Sequence, residues 1–153
     1  MRFEFEKKVR FGEIDEAGIV YYPRFFNFYH LALEEFFEKA VGVPYAEVIK
    51  GWQVGFPTVH VQADFFSPLA FGDVMTIALS ISRIGRSSVR MKYRVTRKRD
   101  GAHAAEAELT VACVDMKTFR ARTIPEQLRT VFERYHEDSG PGPEGEDTVP
   151  SLR

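Results

Sequence analysis

The segment from about Ile19 to Val41 constrains the fold more than any other part of the chain. Tyr22, Phe26, Tyr29, Leu33, Phe36 and Ala40 recur at the i, i+3, i+4, i+7 spacing of an α-helix. Phe25, Ala32 and Phe37 widen that stripe until only a narrow face, with Arg24, Asn27, Glu34 and Glu38, is polar. A helix with so wide an apolar face must be surrounded by other elements. Pro23 fits its first turn, where a missing N–H costs nothing. Gly42 suits the stop, with Pro44 just beyond.

The remainder reads mostly as strand. Arg2 to Phe11 carries apolar residues at Phe3, Phe5 and Val9 or Phe11 among charged ones, and Gly12 to Gly18 reads as a loop. Four later runs alternate with period two: Val59 to Phe65, Met75 to Ile81, Val89 to Val95 and Ala105 to Cys113. A three-residue loop, Arg99-Asp100-Gly101, sets Arg94 opposite Glu106 and Lys92 opposite Glu108, with Gly101 in the left-handed position. Pro125 to Tyr135 reads as a short terminal helix. One strand, a buried helix and four more strands give an antiparallel sheet with one long central helix. Such a sheet cannot cover every side of so apolar a helix, which points to an oligomer.

Composition narrows the function classes. A chain of 153 residues suggests one domain, placed at residues 1–136. Residues 137–153 are rich in Gly, Pro and acid and predict a disordered tail. The formal net charge of −1 gives no nucleic-acid footprint. Cys113 stands alone, which rules out an internal disulfide and a cysteine zinc cluster, and its place on an apolar strand face predicts an inert buried thiol. His30, His103 and His136 show no metal spacing with any acid. No signal-peptide core and no bilayer-length apolar run is present, so the expected setting is cytoplasmic, away from any membrane.

The run from Val9 to Phe37, VRFGEIDEAGIVYYPRFFNFYHLALEEFF, resembles the opening of the 4-hydroxybenzoyl-CoA thioesterase family of hot-dog proteins. The shared features are FG-x-x-D-x-AGIV, the paired aromatics before a proline, and the aromatic helix that follows. FPTVHVQADFFSPLAFGD resembles, more loosely, the family's strand-turn-strand. The resemblance implies an α+β hot-dog fold, a five-stranded antiparallel sheet wrapped around one long central helix. It also implies an acyl-CoA substrate, no cofactor, and a homodimer with edge-to-edge sheets, often paired into a homotetramer.

Thioester hydrolysis needs a carboxylate near the carbonyl carbon and donors near the carbonyl oxygen. By resemblance Asp15 is the catalytic carboxylate, as nucleophile or as base for water, and the Tyr22 N–H donates to the oxyanion. Free N–H groups around Val20 to Tyr22, at the helix start, suit a developing negative charge. Gly18 lets the backbone approach the substrate. The plainer account of Asp15 is a turn cap. Glu13 and Glu16 are read as solvated loop charges that can also repel the Asp15 carboxylate. Tyr21 and Tyr22 either line an acyl pocket or serve as core aromatics. Short-chain relatives carry His where Tyr22 stands, so the resemblance leans to an aromatic or bulkier acyl group. Arg86 falls where the family places basic residues for CoA phosphates, with a solvated hairpin turn as the alternative. His60 belongs to a polar outer face, or touches a thioester or partner subunit. A hot-dog hydratase or dehydratase and a non-catalytic acyl-CoA-binding module are the rival functions. The first wants a His paired with an acid, and none is visible near the helix start.

Overall fold

The computed structural model describes residues 1–137. The predicted tail lies outside the described residues from 138 onward. Glu137, which composition assigns to that tail, is fastened to the body: its N–H donates to the Ile81 C=O at 2.9 Å and its carboxylate pairs with Arg2 at 2.9 Å.

In chain order the elements are β1 (Phe3–Lys8), a 3₁₀ turn (Phe11–Glu13), α1 (Arg24–Phe36) and a π turn (Phe37–Val41). They continue with α2 (Tyr45–Lys50), β2 (Val54–Gly55), β3 (Thr58–Phe65), β4 (Val74–Ile84), β5 (Ser88–Arg97), β6 (His103–Ala112), β7 (Val114–Asp115) and α3 (Glu126–Arg134). The large sheet has the order β1-β4-β5-β6-β3, antiparallel throughout. This is the five-stranded α+β arrangement that the strand count and the resemblance both predict. The α2 turn and the small β2–β7 ladder are additions that the period-two runs did not announce.

The apolar face of α1 lies on the inner face of the sheet. Phe25, Phe28, Tyr29, Ala32, Leu33 and Phe36 are buried, as are Met75, Ile77, Leu79 and Ile81 of β4 and Val89, Met91, Tyr93 and Val95 of β5. Tyr29 lies 4.9 Å from Tyr93, ring to ring. Leu128, Val131 and Phe132 of α3 close the open side. The sheet and α3 together thus cover the helix within one chain; of the large apolar residues on α1 only Leu31, at 38%, is exposed. The expectation that the helix needs a second subunit to cover it does not hold. The other exposed apolar side chains lie off the helix and include Val61 and Phe65 on the edge strand β3, Tyr22 and Phe66 beside it, and Phe11 and Phe71.

Three boundaries differ from the sequence reading. β1 ends at Lys8 because Val9 N–H donates to Asp73 C=O and Val9 C=O accepts from Gly72, which leaves Phe11 to start the 3₁₀ turn. The helix begins at Arg24 because Ile19 and Val20 form bridges to Ala70 and Ile14 instead. The β5–β6 register pairs Arg94 with Glu106 and Lys92 with Glu108 as predicted, and Gly101 has φ 73°. The loop, however, has four residues, since Arg97 N–H donates to Ala102 C=O. An extra residue in β6, Ala104, restores the register, and its carbonyl accepts the N–H groups of Phe66 and Ser67 at 2.8 and 3.2 Å.

Phe36 joins β1, α1 and α3. Its ring meets Phe3 at 5.6 Å, Tyr135 at 5.1 Å and Phe132 at 6.3 Å, and it is fully buried. Phe36→Ala is expected to cost about 3–5 kcal/mol, read as a lowered urea midpoint. A cost near that of a surface substitution contradicts this packing.

Candidate active site

The segment between β1 and α1 folds back on itself as a short hairpin. Asp15 N–H donates to Ile19 C=O at 2.9 Å, Gly18 N–H to Asp15 C=O at 3.0 Å and Tyr21 N–H to Glu13 C=O at 3.0 Å. Gly18 takes φ 79°, a left-handed conformation that glycine adopts without a Cβ penalty. One Asp15 carboxylate oxygen accepts the Ala17 N–H at 2.8 Å, as in an Asx turn. That is the capping role of the plainer account, and it leaves the second oxygen with no partner among the described residues.

The hairpin is held from two sides. Val20 N–H donates to Leu69 C=O at 2.8 Å. The segment that carries Leu69 is fixed by Arg97, whose guanidinium reaches the Pro68 C=O and the Asp100 carboxylate. Asp73 in the same turn accepts the Ala70 N–H and pairs with Arg99. The Ala70 N–H first, and then Arg99, hold the Asp73 carboxyl below the usual range. The Arg97 guanidinium first, and then the Ala102 N–H, hold Asp100 well below it. On the other side Glu13 pairs with Lys7 at 2.8 Å and accepts the Arg10 N–H at 2.8 Å. Glu13 is therefore a partly buried ion-pair member, not the solvated loop charge the sequence suggested.

The start of the helix offers fewer free donors than anticipated. Val20 and Tyr21 N–H are taken by Leu69 and Glu13, and Arg24, Phe25 and Phe26 N–H donate to the carbonyls of Tyr21, Tyr22 and Pro23. Of the candidates from Val20 to Tyr22, only the Tyr22 N–H makes no hydrogen bond among the described residues. It sits one residue before the Pro23 cap, within reach of the positive end of the α1 dipole.

Asp15 and Tyr21 line one cleft of about 610 Å³ together with Phe11, Gly12, Ile14, Glu16 and Arg24. Gly18 lies in the hairpin that carries Asp15, and Tyr22 follows Tyr21, its ring 6.1 Å from Phe65 at the end of β3. Both tyrosines are more than half or half exposed, at 61% for Tyr22 and 50% for Tyr21, so neither is a core aromatic. Phe11 and Arg24 are the lining residues that sequence reasoning missed. In the sequence Phe11 fits the end of a strand and Arg24 the polar helix face, and nothing in their spacing marks a cleft.

His60 and Arg86 do not join this cleft. His60 is exposed on β3 opposite Thr110. Arg86 lies past the far end of β4, separated from the Asp15 end by roughly 33 Å of extended strand. Its Nε donates to Thr123 Oγ1 at 3.3 Å. Cys113 is buried, and desolvation pushes its thiol up to about 11. No group of three or more His, Cys, Asp or Glu side chains among the described residues could hold a metal ion. No helix among them is long and apolar enough to cross a membrane.

A Cβ at Gly18 would meet nothing within 4 Å, so the cost of a side chain there is purely conformational. Gly18→Ala is expected to lose about 1 kcal/mol of unfolding free energy, while Gly12→Ala, where space is equally open and φ is ordinary, loses little. Equal urea midpoints for the two variants contradict the left-handed turn.

Comparison with known proteins fits the geometry. The family model of the thioesterase-like superfamily matches residues 9–132. A 1,4-dihydroxy-2-naphthoyl-CoA hydrolase of Nostoc punctiforme is 29% identical over 139 residues, 91% of this chain and 92% of that protein. The protein of the same name from Prochlorococcus marinus is 30% identical over 141 residues, 88% and 89% of the two chains. The solved structure of the gentisyl-coenzyme A thioesterase BH1999 superposes with a TM-score of 0.75 at 28% identity, covering 85% of this chain and 99% of that one. The match begins just past β1 and runs through the Asp15 hairpin, the helix and the other four strands of the large sheet to Phe132, and on that extent the chain belongs to the thioesterase-like superfamily of hot-dog proteins.

Proposed function

We propose that this chain hydrolyses the thioester of an aromatic acyl-CoA, with Asp15 as the acting carboxylate. The observation that carries the reading is the Asp15 hairpin itself. One carboxylate oxygen is pinned by the Ala17 N–H, the other is unpartnered among the described residues, and the cleft it lines is walled by Tyr21, the residue before the unused Tyr22 N–H. A thioester carbonyl set there has a donor for its oxygen and a carboxylate for its carbon or for a water. As base, Asp15 takes a proton from water as its oxygen adds to the carbonyl carbon. The tetrahedral oxyanion then collapses, the C–S bond breaks, and the CoA thiolate leaves and is protonated. As nucleophile, Asp15 adds directly, expels the thiolate and leaves an anhydride that water cleaves. Both routes end in a free acid and CoA.

Three relatives support the aromatic acyl group: the two named for 1,4-dihydroxy-2-naphthoyl-CoA and the one named for gentisyl-CoA. The cleft supports it as well, with Phe11 and Tyr21 on its wall. A hydratase is less well served, because the cleft lining holds carboxylates and no histidine. Arg86 as a CoA-phosphate contact and His60 as a substrate contact both need a second copy of the chain, since neither reaches the Asp15 cleft of its own subunit. A dimer through β3 supplies that copy: β3 is an eight-residue edge strand with Val61 and Phe65 exposed at 43% and 47%. A homotetramer would be two such dimers. A reducing, cytoplasmic setting agrees with the single, buried Cys113.

Asp15→Asn keeps the side chain's shape and an oxygen for the Ala17 N–H, so folding should persist. kcat on 4-hydroxybenzoyl-CoA or a naphthoyl-CoA is expected to fall by at least roughly a hundredfold with KM little changed. Hydrolysis near the parental rate, followed by thiol release, would remove Asp15 from the chemistry. Sedimentation of the parental protein at micromolar concentration is expected to show a dimer or larger. Phe65→Glu should shift that distribution to monomer, and an unshifted distribution would mean association does not use the β3 edge.

A further inference from the structure

Lys7 occupies an unusual place in β1. The inward phase of the strand runs Phe3, Phe5, Lys7 and then Val9, which is fully buried. An ammonium in that phase leaves water, and its side chain is only 10% exposed. Lys, when this buried, must be paired. Its Nζ donates to the Glu13 carboxylate at 2.8 Å and to the Lys8 C=O at 3.0 Å, and it lies 4.9 Å from the centre of the Phe28 ring.

These partners belong to the two arms of the candidate site. Glu13 stands two residues before Asp15, and its own C=O holds the Tyr21 N–H at 3.0 Å, one residue before Tyr22. Phe28 lies on α1, the helix whose N-terminal end follows Tyr22. One largely buried ammonium therefore ties the strand, the hairpin with the carboxylate, and the helix that sets the oxyanion donor. We propose that Lys7 and Glu13 act as a positioning pair that fixes the Asp15 carboxylate relative to the Tyr22 N–H. This rests on the hydrolase reading above. Neither residue lines the cleft, so neither touches substrate. Without the ammonium, the Glu13 carboxylate keeps one amide partner in a poorly solvated place and turns outward. The Glu13 C=O to Tyr21 N–H bond loosens with it, and the donor and the carboxylate lose their common frame.

The test uses Lys7→Met, which keeps the stem, Glu13→Gln, which keeps an oxygen for the Arg10 N–H, and the double variant. Lys98→Met serves as a control, because Lys98 makes a 2.8 Å pair with the neighbouring Glu6 in which both partners are more than half exposed. With 4-hydroxybenzoyl-CoA, each single variant is expected to lose about ten- to a hundredfold in kcat at nearly unchanged KM. The double variant should be no worse than the worse single one, since the two act as one unit. The control should match the parent. Parental kcat in the folded single variants, a loss confined to KM, or losses that multiply in the double variant each overturn the proposal. If Lys7→Met does not fold, Glu13→Gln alone carries the kcat test. Amide hydrogen exchange at Tyr21 gives a reading independent of turnover: faster by tenfold or more in a folded variant supports the pair, and unchanged exchange overturns it. A parental protein that releases no thiol from any acyl-CoA defeats the hydrolase reading, and the exchange rate still decides the positioning.

Discussion

Burial of α1 against a single curved sheet is the constraint from which the rest follows. Six of its thirteen residues are buried, four of them aromatic, and they demand a long, continuous apolar surface. The inward residues of β4 and β5 supply it, every second residue, from Met75 to Ile81 and from Val89 to Val95. Once the helix axis is fixed in that way, the position of its N-terminal end is fixed too. The hairpin that enters the helix then has little freedom: it must turn back at Gly18, bridge to Ala70, and reach Pro23. Hydrophobic packing thus decides where the Tyr22 N–H and the Asp15 carboxylate can lie, although neither takes part in the core.

A second layer of control is electrostatic and polar. Arg97 bonds to a backbone carbonyl and to Asp100, Arg99 to Asp73, and Lys7 to Glu13. All three act on turns and loops rather than on the long strands. Such pairs contribute little to stability when exposed, yet they set loop geometry that apolar contacts leave undefined. The loops next to the cleft are held by specific bonds while the sheet is held by area.

Much of this was legible in the residues. Period-two alternation located the long strands, and charge complementarity fixed the β5–β6 register because Arg94 and Lys92 can face Glu106 and Glu108 in one alignment only. Ala104 was not legible, since an alanine in a bulge looks like any alanine in a strand. The start of α1 was misread because Ile19 and Val20 fit a helical stripe as well as they fit two bridges, and only tertiary partners such as Leu69 decide between them. In the site, Asp15 and Gly18 stood out by resemblance. Lys7 carried a visible signal, a charge in the inward phase of an apolar strand. Phe11 and Arg24 carried none, because a cleft is made by the meeting of distant segments. His60 and Arg86 lie away from it within one chain, which no local pattern reveals.

The two borders of the sheet are unlike. β1 is six residues long, turns Glu4, Glu6 and Lys8 to water and holds Lys7 largely out of it. β3 is longer and exposes valine and phenylalanine. A new strand can dock on β3 at little cost, whereas on β1 it meets a short, charged ribbon. Strand addition is therefore favoured on the β3 side of the sheet. In the proposed β3-paired dimer the border left outermost would be the short charged ribbon of β1, which offers an added strand little apolar surface.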